Sequence, residues 1–271
     1  MKMTRESDTG QVIYCYDGSY AGLLTLLSTT VATGPAALRI APSAAVVVGL
    51  FDAPSLIATN AEQAARFQQE IEGRLGRRTL RHLRLAYLSE RPGIEGHVHG
   101  YLQLGWRVGP ALNNHLAHAD VHAVLTASRR TARESHRLRG LVRFQELSDS
   151  SYYAQLRPDA NVLPLLARHF AERMDRPWLL HDVGRDLGVM GDQQRYWLGK
   201  LERPADVQLA ATEQDWQRLW RCFHRSIAIA SRHNPSLQRQ FMPLKYREFL
   251  PPGRTRQFRP RYADRPAKPR F

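Results

Sequence analysis

The stretch "SYYAQLRPDANVLPLLARHFAERMDRPWLLHDVGRD", residues 151–186, decides the fold. Its first residues, "SYYAQLR", alternate apolar and polar side chains as a strand does, whereas "NVLPLLARHFAERM" spaces its apolar positions as a helix does. Asp159 and Asn161 stand where a helix N-cap is expected, and Pro164 is tolerated in a first turn. "PWLLHDV" then opens on Trp178, Leu179 and Leu180, the signature of a buried strand, before His181 and Asp182. Upstream, "LVRFQEL" forms a further strand facing "SYYAQLR" across a Ser148-Asp149-Ser150 turn, and downstream "DLGVMG" adds another.

Working outward, "QVIYCY" is a short β-type run, Asp17-Gly18-Ser19 a turn with an N-cap, and a helix follows from about Tyr20. Pro35 and Pro42 break the next segment, and "AAVVVGLF" reads as a short strand. A helix is expected from about Asn60 to Gly73, continuing helically through "RRTLRHLRLAYLSE". "RPGIEGHVHGYLQLGWRVG" reads as a connector plus a short helix, and 111–138 as one long helix stopped by Gly140. A C-terminal helix runs from Glu213 to about His233. The expected fold class is α+β. A mostly helical N-terminal part covers 1–139, and a small central antiparallel or mixed sheet with a packed helix and C-terminal helices covers 140–250. A basic tail over 251–271 is expected to stay disordered until it meets something acidic. Whether this makes one domain or two, the pattern leaves open.

The charge is the strongest global signal. Lys and Arg number 39 against 25 Asp and Glu, a formal net charge of +14 in a chain that is 43% hydrophobic. Such a balance points to a polyanionic partner, with nucleic acid ahead of a membrane surface. Two distant cysteines, Cys15 and Cys222, exclude a disulfide framework and a Cys-held iron–sulfur cluster. "MKMTRESDTG" is too polar for a signal peptide, and "SAAVVVGLF" falls short of the ~20 apolar residues of a membrane span. A cytoplasmic protein without membrane attachment is expected.

Three arginine stripes stand out at helical spacing. Arg74, Arg77, Arg78, Arg81 and Arg84 lie across from Leu75 and Leu83; Arg129, Arg130, Arg133 and Arg137 lie across from Val121, Val124 and Leu138. Arg218, Arg221, Arg225 and Arg232 oppose Trp216, Leu219, Trp220, Phe223 and Ile227, which are expected to face the core. Any single stripe suits a solvated face, but three so poor in acid suit phosphate contacts. His115, His118 and His122 share a helical face with Arg129 and Arg133; with Asp120 directed elsewhere, they read as exposed histidines and no metal site is assigned. If the central strands pair as a meander, Glu146, Asp159, His169, His181 and Asp182 converge, a set suited to acid/base or metal-assisted work. No nucleophile elbow, P-loop or dinucleotide fingerprint is present, so any cofactor is unknown.

Five blocks, "YDGSYAGLLT", "LSERPGIEGHVHGYLQLGW", "ESHRLRGLVRFQEL", "YYAQLRPDANVLPLLARHFAERMDRPWLLHDVGRD" and "LWRCFHRSIAIASRHNPSLQRQFMPLKYREFLP", follow one another in order. Together they resemble a bacterial family associated with DNA metabolism or DNA repair, over most of residues 12–250. Its genes tend to neighbour a DNA-repair radical-SAM protein, and some members are fused to a uracil-DNA glycosylase-like domain. The resemblance implies a DNA-repair context and no particular reaction. It falls on Asp17, Gly18 and Ser19, then on Glu134, His136, Gly140, Arg143 and Phe144. It continues through Tyr153, Pro158, Asp159, Asn161, His169, Phe170, Arg173, Trp178, His181, Asp182 and Arg185, and ends on Arg225, Arg232, Asn234, Gln238 and Pro243. Two positions depart from the pattern: Gly184 stands where a basic residue is expected and Asp186 where Gly is. With a basic tail following, no glycosylase domain is expected to be attached.

The leading expectation is a DNA-binding accessory protein that presents DNA to an enzyme partner, a radical-SAM repair protein in the context of the resemblance. Its phosphate contacts are assigned to Arg143, Arg185, the Arg129, Arg133, Arg137 stripe and the Arg218, Arg221, Arg225, Arg232 stripe. The alternative is a nucleic-acid-processing enzyme with Asp159, His169, His181 and Asp182 as catalytic groups and Tyr152, Tyr153 or Trp178 stacked on an extruded base. A second alternative is a protein-binding scaffold for the radical-SAM partner. Oligomeric state is left open.

Overall fold

The computed structural model describes residues 12–32, 38–46, 53–193, 195–201, 207–227, 229–232 and 234–250. The expected basic tail, and most of the strand expected in "AAVVVGLF", lie outside them. The chain forms two compact units. The first runs to Ser135 and takes in Asp159–Val162; the second comprises His136–Pro158 and the residues from Leu163 on.

In the first unit, strand β1 (Val12–Tyr16) ends in the expected Asp17-Gly18-Ser19 turn. Asp17 Oδ1 accepts from the Ser19 N–H and hydroxyl at 2.9 and 2.7 Å, and Ser19 Oγ caps helix α1 (Tyr20–Thr30) through the Gly22 N–H at 2.9 Å. β2 (Arg39–Pro42) and β3 (Ala53–Leu56) flank β1, both parallel to it, so the mostly helical part also carries a three-stranded sheet.

Helix α2 (Ala61–Leu75), capped by Asn60, and α3 (Arg77–Tyr87) are separate. Gly76, at φ +85°, breaks what reads in sequence as near-continuous helix. Helix α4 (Ile94–Val108) corrects the expected connector: it is a full helix, buried along Val98–Leu102. Its glycines are packing devices, since a Cβ on Gly100 would overlap the Asp120 carboxylate and one on Gly105 would come within 2.9 Å of Leu112. Helix α5 (Ala119–Leu141) starts later than expected, after a 3-10 turn over Gly109–Asn114, and continues through Gly140. Leu26, Ile71, Leu83, Tyr101, Leu102 and Val124 are among the fully buried residues that join these helices in one apolar core.

The short segment Asp159–Val162 is held by a buried carboxylate. Glu134 accepts from the backbone N–H groups of Asp159 and Ala160, both at 2.9 Å. Asn161 donates from its backbone to the Leu88 carbonyl at 2.8 Å and from its amide to Glu90 at 3.1 Å. Neither Asp159 nor Asn161 is therefore the expected cap, because helix α6 (Leu163–Ala171) begins beyond both.

The second unit is built on a five-stranded sheet: β4 (Gln145–Glu146), β5 (Tyr152–Leu156), β6 (Trp178–Asp182), β7 (Leu187–Gly191) and β8 (Tyr196–Lys200), in that order. The sheet is mixed. β5 and β6 are parallel and joined through α6, and every other pairing is antiparallel. This overturns the meander, because a parallel pair needs a crossover rather than a hairpin. α6 packs on β7 and β8. Trp178, 2% exposed, is ringed by Phe144 and Phe170 at centroid distances of 6.3 and 6.2 Å.

Helix α7 (Glu213–Ile227) and helix α8 (Pro235–Phe241) follow. The buried Glu213 anchors α7 by accepting from the Glu146 N–H at 3.1 Å. The stripe expected to face the core does not: Trp216, Leu219, Phe223 and Ile227 are all more than half exposed. Arg232 lies on a separate 3-10 turn, Ala230–Arg232, and not on α7.

Glu134→Ala would remove the acceptor of the buried Ala160 N–H and of the part-buried Asp159 N–H and is expected to cost about 1–3 kcal/mol in urea unfolding. An unchanged midpoint would show that the carboxylate does not hold the segment.

Candidate nucleic-acid interface

Helix α3 buries Leu83 and Ala86, which leaves Arg78, Arg81 and Arg84 exposed on its outer side. Helix α5 buries Val121, Val124 and Leu125 and exposes Arg129, Arg130 and Arg133 in the same way. The two stripes meet at His82, whose Nδ1 shares a 2.9 Å hydrogen bond with Ser128 Oγ of α5. Burial, followed by the guanidiniums of Arg78, Arg81 and Arg129, pushes the His82 imidazole down to about 4. Three cations from two helices therefore surround one neutral histidine. Arg74 and Arg77 are compensated by Glu70 and Glu72 at 3.3 and 2.6 Å, but among the described residues Arg78, Arg81, Arg129, Arg130 and Arg133 form no ion pair.

In the second unit a cavity of about 680 Å³ opens where the last turn of α5 lies beside α6. His136, Arg139, Arg143, His169 and Arg173 line it, with Phe144 and Phe170 as an apolar wall. His169 is half-buried, and burial, then Arg139 and Arg173, holds its imidazole below the usual histidine range. Arg143 Nη1 donates to the carbonyls of Gly140 and Val142 at 2.8 and 2.9 Å, so it neutralises the negative end of α5.

The four expected catalytic residues occupy different settings. Asp159 belongs to the first unit, and His169 lines the cavity of the second. His181, 1% exposed, shares a 2.8 Å hydrogen bond with the Tyr153 hydroxyl, which also accepts from Gln155 at 2.9 Å. Asp182, fully buried, accepts from Arg185 at 2.9 Å and from the Gly184 N–H at 3.0 Å. Burial outweighs the Arg185 charge and raises the Asp182 carboxyl above the ordinary carboxylate value. Arg185 also donates to the Pro158 carbonyl at 3.1 Å, which commits it to the β6–β7 turn. Among the described residues no three His, Cys, Asp or Glu side chains come together as a metal-binding group. Asp120 does not point away from the histidines, as expected, but bonds His97 at 2.8 Å, with His118 3.8 Å away.

On α7, Arg218 pairs with Asp215 at 2.7 Å, while Arg225 and, on its own turn, Arg232 are exposed. Arg137 is exposed near the end of α5. Sequence reasoning missed Arg139 and passed over His136 and Arg173 as site residues. The available signal was two basic pairs at i, i+4, Arg139 with Arg143 and His169 with Arg173, beside Phe144 and Phe170.

Asp186 adopts φ +52°, a left-handed conformation that explains why Gly fits that position. Asp186→Gly should match or exceed the parent in thermal stability, and Asp186→Val should lose about 1–2 kcal/mol. The depressed His82 has a second consequence. Unfolded, an imidazole takes up a proton near pH 6.5, whereas His82 in the fold does so only near 4. Stability should therefore fall as pH drops through that interval, and His82→Gln should flatten the slope in urea titrations. Arg129→Gln should move the His82 midpoint upward by NMR; an unmoved midpoint would place the guanidinium elsewhere.

Among the described residues no helix is long and apolar enough to cross a membrane. No curated protein and no solved structure matches the chain. The α4–α5 helices, the five-stranded sheet and the C-terminal helices fall within residues 92–252, which match a domain of unknown function, DUF4130; covering more than half of the chain, that match makes it a member of the DUF4130 family.

Proposed function

We propose that the chain is a DNA-binding protein of DNA metabolism or repair, gripping the phosphate backbone through arginine-rich helical faces. The observation that carries this reading is the face around His82, where Arg78, Arg81 and Arg129 stand together without carboxylate partners. Such a face gains by meeting phosphates, which release counterions as they are neutralised and impose no base preference. Work alongside a radical-SAM repair partner rests on the family resemblance alone. A scaffolding role is the second reading, and the exposed apolar stripe Trp216, Leu219, Trp220, Phe223 and Ile227 on α7 favours it. Burial of His181 and Asp182, each tied to a neighbouring side chain, gives little support to chemistry at those positions.

In fluorescence anisotropy with a duplex of arbitrary sequence, affinity should fall steeply as salt rises from about 50 to 200 mM. Each of Arg78→Gln, Arg81→Gln and Arg129→Gln should weaken binding uniformly across sequences and lower the log–log salt slope by about one. Absence of binding at the lowest salt would end this reading. Capture of the radical-SAM protein that survives nuclease treatment and is lost in Trp216→Ala/Phe223→Ala would favour the scaffold instead.

A further inference from the structure

The cavity of the second unit differs from the arginine faces of the first in joining its cations to aromatic side chains. Three guanidiniums and two imidazoles line it without a single carboxylate, all of them exposed except the half-buried His169. The acid that acts most on His169, Glu172, is exposed and tied to Arg168 at 2.7 Å. Arg139 and Arg173 form no ion pair among the described residues. A helix C-terminus would ordinarily repel an anion, but Arg143 caps the Gly140 and Val142 carbonyls and removes that obstacle. Phe144 and Phe170 also line the cavity; they meet edge to face at 5.0 Å and are backed by the buried Trp178, with Phe144 half-buried and Phe170 only 5% exposed.

We infer that this cavity receives a phosphomonoester, that of a nucleotide or of a nucleic-acid 5′ end. The charge decides for a monoester: a dianion with three free oxygens matches several guanidinium forks, whereas a backbone diester brings one charge and two oxygens. The size decides against bare phosphate. About 680 Å³ is the scale of a small-molecule site and leaves room for a sugar and a base beside the half-buried Phe144 ring. The choice of a nucleotide over other phosphate esters rests on the DNA-binding reading; the phosphate itself does not.

The test uses the full chain and two measurements. In the first, deoxyadenosine monophosphate, inorganic phosphate and deoxyadenosine are titrated while the imidazole resonances of His136 and His169 are followed by NMR. The monophosphate should shift both and bind tightest, and deoxyadenosine should do neither. In the second, 5′-phosphorylated and 5′-hydroxyl versions of one short single strand compete in anisotropy. The phosphorylated strand should bind about tenfold more tightly, a preference that Arg139→Gln/Arg173→Gln abolishes and Arg139→Lys/Arg173→Lys partly keeps. Tight binding of the free nucleotide without a preference between strands assigns the cavity to a nucleotide; a strand preference assigns it to an end. Unmoved histidine resonances with all three small ligands, together with equal strand binding, would overturn the inference while leaving general DNA binding intact. Shifted resonances without binding of either strand would instead remove the DNA reading and keep the phosphate site.

Discussion

The parallel pairing of β5 with β6 is the constraint from which the second unit follows. Parallel neighbours cannot be closed by a hairpin, so the chain between them must cross over, and α6 is that crossover. A central strand flanked on both edges, β6 is buried at every position but Leu179. His181 and Asp182 at the end of β6 are consequently withdrawn from solvent and bonded to Tyr153 and Arg185. The same crossover carries His169 out to the end of α6, beside the last turn of α5. One topological fact thus buries His181 and Asp182 and brings His169 beside residues of α5 about thirty positions away in sequence.

Two populations of arginine coexist in this chain. Some are structural: Arg185 closes the β6–β7 turn against a buried carboxylate, and Arg143 seals a helix end. Others, Arg78, Arg81 and Arg129 around His82 and Arg139 and Arg173 beside His169, form no ion pair among the described residues, and they add to burial in holding those imidazoles below the usual histidine range. Self-repulsion in such groups works against folding, and the apolar core beneath α3 and α5 has to offset it.

Much of this could be read from the sequence. The Asp-Gly-Ser turn before α1 was legible because its chemistry is local, β5 because period two is distinctive, and β6 because Trp178, Leu179 and Leu180 form a short apolar run. Strand order was not, since alternation marks a strand without naming its neighbour. Helix α4 was obscured by glycines that in isolation weaken a helix, yet here admit the Asp120 carboxylate and the Leu75 and Leu112 side chains. The stripe on α7 shows a different limit: amphipathic spacing states which side is apolar, not whether anything covers it. The cationic cavity was hidden for the same reason as the strand order, because α5 and α6 contribute to it from positions about thirty residues apart.

The chain passes from the first unit to the second after Ser135, returns for Asp159–Val162, and leaves again. On a ribosome, where the chain emerges from its N-terminus, Glu134 appears 25 residues before the N–H group of Asp159 that it will bind. Until then its carboxylate has neither backbone donor and cannot be buried without cost. The first unit therefore cannot complete itself during synthesis when its own last helix arrives. It must wait until residues 159–162 have followed β5, so the second unit is begun before the first is complete.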